Sequence, residues 1–150
     1  MTFSIPSFIE AFQHAPRPTP EEITPHRCCE CDRVRDDFAP YSVDDVPDEV
    51  VEYHYDSIPL MSPKAFRYYL PRYVRFTCEH PASNVTDTLL FNLSPDNPTS
   101  EFWSGRTDLF TLEERRAIID YLSYRRTWPG GDVDEKWIRP GLDYWWPGPP

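Results

Sequence analysis

Apolar residues recur at three- and four-residue spacing in several stretches of this chain, a pattern that is typical of amphipathic helices. Residues 1–13 predict a short helix of this kind, and we expect Ser4 to cap it. Residues 29–38 predict a charged helix that ends before a proline. Residues 42–57 carry valines at helical spacing between acidic residues, so we expect helical structure there too, interrupted or restarted at its proline.

The second half of the chain contains two clear helix starts. Ser62 and Pro63 begin one helix, because serine caps helices and proline suits the first helical position. Thr111 opens a capping box, and the helix that follows should end near Arg126. Between them, residues 86–93 are apolar and indicate either a short helix or a buried strand. We expect the two capped helices to bury Phe66, Tyr69 and Leu70 in the first and Ile118, Ile119 and Leu122 in the second.

The remaining segments lack a helical period. Residues 94–108 predict a loop, because proline, asparagine and glycine punctuate them. Residues 127–150 predict an irregular arm for the same reason, although most of the tryptophans lie there. The sequence therefore predicts a mostly α fold with a single domain over residues 1–150. Its body of short, proline-punctuated helices spans about residues 1–126, and its Trp-rich C-terminal arm spans 127–150.

Composition narrows the possible partners. A chain of 150 residues is long enough to bury one hydrophobic core, and 18 prolines cut it into short elements. There are 25 acidic residues against 15 Lys and Arg, which gives a formal charge of −10. A negative field of this size repels the phosphates of nucleic acids and favours a partner with a basic surface.

The location of the protein is also constrained by its sequence. No apolar stretch approaches the roughly 20 residues that a membrane span needs. The N-terminus has neither the basic region nor the apolar stretch of a signal peptide. We therefore expect a cytoplasmic protein that does not bind membranes and whose cysteines are reduced thiols or metal ligands.

The most acidic part of the chain lies within residues 42–57, and it carries two tyrosines as well. Such a stretch is either a solvated surface or a surface that docks a basic partner, with the carboxylates steering its approach. Large amphipathic aromatic residues are preferred anchors at protein interfaces, which brings two tail tryptophans into the same hypothesis. The residues predicted to bind a partner are Asp44, Asp45, Asp48, Glu49, Glu52, Tyr53, Tyr55, Asp56, Trp145 and Trp146.

The cysteines lie in two short clusters that also contain histidine. Thiolate sulfur and imidazole nitrogen are the ligands that tetrahedral Zn²⁺ prefers, and C-x-x-C spacing lets one turn present two sulfurs to one ion. A closed shell of four ligands would make the site structural. The second cluster supplies only a C-x-H pair, so ordinary buried thiols remain an alternative. The candidate zinc ligands are His26, Cys28 and Cys31 together with Cys78 or His80.

The same C-x-x-C spacing is found in redox-active dithiols. The sequence lacks the βαβ pattern that accompanies many of them. The carboxylates of Glu30 and Asp32 should moreover raise the pKa of the neighbouring thiols, which disfavours a thiolate.

Enzyme signatures are missing from the chain. It has no glycine-rich phosphate loop, no G-x-S-x-G elbow and no H-E-x-x-H helix. His14 and His54 are isolated in sequence, so each is expected to be a surface histidine or a core histidine with its hydrogen bonds satisfied. We therefore expect no catalytic residues.

One stretch resembles a known family. The run from Ile58 to Pro71, which reads IPLMSPKAFRYYLP, is similar to a motif of an uncharacterised family of small bacterial proteins. In that family a motif like Cys28-x-Glu30-Cys31-Asp32 precedes the run, and a helix like Leu112–Leu122 follows it. The resemblance covers about residues 20–126. It implies a bacterial origin and a mostly helical fold, and it carries no known catalytic residues.

These observations favour a non-enzymatic, acidic, cytoplasmic binding protein. Its most concrete form is an immunity or antitoxin-like inhibitor that covers a bacterial toxin domain. The alternative is a zinc-stabilised structural or regulatory module, with an enzyme as the third possibility.

Overall fold

The structure, a computed structural model, describes residues 2–95, 99–128 and 131–148, without the side chains of 131–134. No strand occurs within these ranges, so the predicted mostly α fold is confirmed. Two 3₁₀ turns, Pro20–Glu22 and Ile58–Leu60, lie between the helices. The helices are α1 (Ile5–Ala11), α2 (Cys29–Phe38), α3 (Asp48–Tyr53), α4 (Pro63–Glu79), α5 (Asn84–Asn92), α6 (Glu101–Thr107), α7 (Leu112–Arg125) and α8 (Gly131–Trp145).

The predicted helix caps are confirmed. The Ser4 hydroxyl accepts the N–H of Ser7 at 3.2 Å, and the Ser62 hydroxyl accepts the N–H of Ala65 at 3.1 Å. Thr111 begins α7 with a complete capping box. Each of these side chains satisfies a backbone donor that the first turn of a helix leaves without a partner.

Helix α4 is the central element of the fold. Helices α1, α3, α5 and α6 pack against it, while α7 lies against α1 and α8. The buried apolar side chains form one cluster that draws on α1 through α5, α7 and α8. Phe66, Tyr69 and Leu70 are buried in it as predicted, and so are Ile118 and Leu122. Residues 86–93 fall mostly within α5, so the helical alternative is correct for that segment.

Ile119 is only half-buried, so its predicted place in the core is wrong. It lines an open surface cavity together with Leu142 and Trp146. The buried stripe of α7 is therefore narrower than its three consecutive apolar residues suggest.

The predicted loop over residues 94–108 is wrong for its second half, where α6 lies, and its residues 96–98 fall outside the described ranges. The Ser100 hydroxyl accepts the N–H of Trp103 and starts this helix. Buried Arg106 then donates to the carbonyls of Met61 and Ile58 at 2.9 and 2.7 Å. These distant contacts stabilise a short helix whose own sequence is a weak helix former, since it contains a glycine.

The predicted irregular arm is also wrong, and the helical body does not end at residue 126. Helix α8 continues through Pro140 as far as Trp145. Ile138 and Trp145, seven residues apart, are both fully buried in the main core. Packing of this face against α5 and α7 compensates for the proline, because burial of an amphipathic face supplies most helix stability in proteins.

None of the helices in the described part of the chain has both the length and the apolarity that crossing a membrane requires.

Candidate functional site

An open cavity of about 560 Å³ lies between the start of α2 and the segment that runs from the end of α3 to the following 3₁₀ turn. Helix α2 contributes Cys29, Glu30 and Arg33 to its wall. The opposite wall is formed by Tyr53, His54, Tyr55, Asp56, Ser57, Pro59 and Leu60. The cavity thus joins the cysteine cluster to the acidic, tyrosine-bearing stretch, which are the two segments that the sequence singles out.

The buried side chain of His54 connects the elements around this cavity through hydrogen bonds. Its Nδ1 lies 2.9 Å from the Ser57 hydroxyl, and its Nε2 lies 2.8 Å from Oδ2 of Asp37 on α2. The Tyr73 hydroxyl on α4 donates to the His54 carbonyl at 3.0 Å. The ring is almost fully buried, so His54 ties α2, α3 and α4 together and is the satisfied core histidine of the two alternatives.

The rim of the cavity is aromatic. Tyr53 is 58 % exposed and Tyr55 is 37 % exposed, which is unusual for side chains that proteins normally use to cover apolar surface. The guanidinium of Arg33 lies 4.5 Å from the centre of the Tyr53 ring and pairs with Asp37 at 3.2 Å. One face of Tyr53 therefore already holds a cation, which shows that the rim has a geometry suited to cation–π contact.

Carboxylates surround these rings. Glu30 and Asp56 are exposed where they line the cavity. Asp48 differs from the others, because it pairs with Arg72 and lies 3.6 Å from His80. The hydrogen bond from Arg72 lowers the pKa of Asp48, so part of its charge is already neutralised within the chain. All the predicted acids are exposed, namely Asp44, Asp45, Asp48, Glu49, Glu52 and Asp56.

The two tail tryptophans, Trp145 and Trp146, have opposite environments. Trp145 is fully buried in the core, and its indole N–H donates to the Leu93 carbonyl at 2.9 Å. Its predicted role as a partner anchor is therefore wrong. Trp146 is 58 % exposed, but it borders the separate cavity beside Ile119 and Leu142.

The structure brings together only part of the predicted zinc shell. Cys28 and Cys31 are neighbours on the first turn of α2, and His26 is exposed in the preceding loop. Cys78 instead borders a cavity lined by Tyr124 and other residues. The His80 ring lies against Phe76 in a tilted arrangement, with the ring centroids 4.6 Å apart. Across the described ranges no three His, Cys, Asp or Glu side chains are grouped closely enough to hold a metal ion, and zinc binding stays a prediction.

The two cysteines of the C-x-x-C pair have opposite environments. Cys28 is the exposed N-cap of α2, and its sulfur accepts the N–H of Cys31 at 3.2 Å. Hydrogen bonds from the backbone and thiol of Cys31 lower the pKa of Cys28, which outweighs the repulsion from Glu30. The hydrogen bond with Cys28 and burial raise the pKa of Cys31 to about 11. The expectation that neighbouring acids would raise the pKa of both thiols is thus wrong for Cys28.

Sequence reasoning missed the residues that α2 contributes to the cavity. Glu30 lies between Cys29 and Cys31, and Arg33 is one turn after Cys29, but nothing local indicates that this face meets Tyr53. The hydrogen bond between His54 and Asp37 spans 17 residues and was equally invisible.

No curated protein and no solved structure gives a significant match to this chain. A family profile does match, and it covers residues 18–147, which include the Trp-rich segment as well as the motifs from Cys28 to Pro71. The match thus supports the expectation of an uncharacterised family, and it reaches beyond residue 126 to include α8. The chain belongs to a family of unknown function, DUF6714.

Proposed function

We propose that this chain is a non-enzymatic binding protein that docks a basic protein partner around the cavity between α2 and α3. The observation that carries this proposal is the pair of exposed tyrosines, Tyr53 and Tyr55, set among exposed carboxylates at the rim. Exposed aromatic rings are the usual anchors of protein interfaces. The formal charge of −10 supplies long-range attraction toward a basic surface.

The cavity suits one arginine or lysine side chain of such a partner. The aliphatic part of that side chain would contact Leu60 and Pro59, and its cationic end would meet Glu30 and Asp56. Tyr55 offers an aromatic face beside these carboxylates. Desolvation inside the cavity strengthens these charge contacts relative to those on an open surface.

The most concrete form of this activity is an immunity or antitoxin-like inhibitor in the bacterial cytoplasm. A small acidic protein of this kind would cover the basic active site of a toxin domain that acts on nucleic acid. Its support is the acidity and the lack of enzyme signatures in the sequence. No observation favours a zinc-stabilised module over this reading.

The test begins with a partner captured from the source cell and identified by mass spectrometry. Association and dissociation rates are then measured by biolayer interferometry at several salt concentrations. The double variant E30Q/D56N should slow association and flatten its salt dependence, because steering charges act mainly on the on-rate. Tyr55→Ala should speed dissociation and weaken binding by about 2 kcal/mol or more if this ring is an anchor.

The matched control is Glu10→Gln, which removes an exposed acid from α1, outside the cavity wall. It should leave both rates close to those of the native chain. Equal binding at low salt by a variant with all six acids of residues 44–56 and Glu30 neutralised would overturn the proposal.

A further inference from the structure

The first turn of α2 places two cysteines in an arrangement that the proposed docking function does not use. Cys28 lies at the N-cap and is exposed, whereas Cys31 is one turn further along and only 2 % exposed. The N–H of Cys31 donates to the sulfur of Cys28 at 3.2 Å, so the Cys28 side chain bends back over the turn toward Cys31. One sulfur therefore faces solvent while the other lies directly behind it.

The charges around this turn favour a thiolate at Cys28. Its sulfur lies at the positive end of the α2 dipole and accepts the N–H of Cys31. The Glu30 carboxylate opposes a thiolate at Cys28, whereas the Asp32 carboxylate is held by Arg27 and Arg35, whose nitrogens lie 2.8 and 3.2 Å from its Oδ1. An exposed sulfur that accepts this hydrogen bond, with a buried sulfur behind it, forms a pair in which one thiol reacts first and the other follows.

We propose that Cys28 and Cys31 form a dithiol–disulfide site that exchanges with small disulfides of the glutathione class. The Cys28 thiolate attacks one sulfur of the oxidised small disulfide, which forms a mixed disulfide and releases one small thiolate. Cys31 then loses its proton and attacks the Cys28 sulfur, which releases the second small thiolate and closes the Cys28–Cys31 bond. Two electrons pass from the chain to the small disulfide, and the two protons of the cysteines end on the two small thiols.

The burial of Cys31 gives this site its order of events. A buried thiol is shielded from attack by an external disulfide, so exchange must begin at Cys28. Cys29 is a natural internal control, because it is exposed on the same turn but accepts no hydrogen bond in the described structure. Accessibility alone would make Cys28 and Cys29 react alike, whereas the geometry assigns the faster reaction to Cys28.

The first experiment incubates the full chain in buffers of reduced and oxidised glutathione at graded potentials. Free thiols are then alkylated, and the disulfides are mapped by peptide mass spectrometry. A Cys28–Cys31 bond should form, leaving Cys29 and Cys78 alkylated, and Cys29→Ala should behave like the native chain. Absence of this bond in the most oxidising buffer would overturn the proposal, as would a bond that pairs Cys29 instead.

Two variants separate the steps of the reaction. Cys31→Ala should trap glutathione on Cys28, because the second thiol is missing, and Cys28→Ser should take up no glutathione at the pair. Cys31→Ser serves as a second version if the alanine variant proves unfolded by circular dichroism. Glutathione that distributes equally over Cys28 and Cys29 in the trapped variant would contradict the assigned order.

Alkylation by iodoacetamide at pH 7 gives a readout that does not need the oxidant. Cys28 should be alkylated faster than Cys29, because its sulfur accepts the N–H of Cys31 and a thiolate there is stabilised by that hydrogen bond. Equal rates for Cys28 and Cys29 in the native chain would count against the site.

Discussion

At the scale of single residues, Glu114 combines two roles that a sequence shows only in part. Its carboxylate accepts the N–H of Thr111 at 2.7 Å and so completes the capping box of α7. Both of its oxygens also lie 2.9 Å from Nε of Arg67 on α4, and the side chain is only 1 % exposed. Glu114 is therefore both a local helix cap and a buried charge whose partner, Arg67, lies on another helix.

We predict that Glu114→Ala lowers the free energy of unfolding by about 3–5 kcal/mol, because it leaves the Arg67 guanidinium without its buried counter-charge. Loss of the cap adds to this effect. The matched control is Glu113→Ala, which removes an exposed acid from the same turn and should change stability by no more than about 0.5 kcal/mol. Urea unfolding at neutral pH measures both, and similar midpoints for the two variants would show that the Arg67 pair contributes little.

The sequence predicted the local half of this arrangement and missed the distant half. The capping box follows from Thr111 and Glu114, which are three residues apart, whereas Arg67 is 47 residues away from Glu114. The candidate site divides in the same way. Tyr53, Tyr55 and the acids are adjacent in sequence and were predicted together. The α2 residues that complete the cavity were missed, because only tertiary packing brings them there.

At the scale of secondary structure elements, Gly141 explains how α8 fits against the rest of the chain. A Cβ built at this position would lie 2.8 Å from the Ser94 hydroxyl and 2.9 Å from both the Leu122 side chain and the Leu93 carbonyl. The glycine thus lets α8 approach the end of α5 and the face of α7 closely. Gly105 in α6 is different, since a Cβ there would meet nothing within 4 Å.

We predict opposite effects for two identical substitutions. Gly141→Ala should destabilise the fold by about 1–3 kcal/mol, because the added methyl group overpacks a close contact. Gly105→Ala should stabilise it by about 0.5–1 kcal/mol, because alanine favours a helix and nothing obstructs its side chain. Thermal unfolding of the two variants beside the native chain checks both signs. A gain of stability at Gly141 would show that α8 is free to shift away from its neighbours.

The same glycine shows why α8 was missed while α2 and α7 were predicted well. Proline and glycine disfavour a helix when only the local sequence is considered. Pro140 and Gly141 therefore predict irregular structure over residues 127–150, despite the four tryptophans there. A helical signal was present, because Ile138 and Trp145 are seven residues apart and fall on one face. Helix α6 was missed for a similar reason. In both helices, contacts with distant parts of the chain outweigh the local preference for turns.

At the scale of the whole molecule, an exposed acidic rim contrasts with a C-terminal helix that belongs to the core. The acidic rim around Tyr53 and Tyr55 is exposed and lies on short elements at the edge of the fold. Helix α8 completes the hydrophobic core, because Trp145 packs between α5 and α7. Its ring contacts Phe110 at a centroid distance of 4.9 Å. The arm expected to meet a partner is therefore part of the folded body.

We predict that Trp145→Ala and Trp146→Ala, although adjacent, differ sharply in their effect on global stability. Trp145→Ala should cost about 3–5 kcal/mol, because it opens a cavity in the core. It also leaves the buried Leu93 carbonyl without the indole donor that lies 2.9 Å away. Trp146→Ala should change the free energy of unfolding by no more than about 0.5 kcal/mol, since its ring is mostly in solvent. Urea midpoints from far-ultraviolet circular dichroism measure both without relying on tryptophan fluorescence.

Because α8 shares one core with the other helices, the Trp145 variant should still unfold in a single transition. A separate early transition confined to the C-terminal residues would instead show that α8 is an appendage, and a native midpoint would show that the core does not need it.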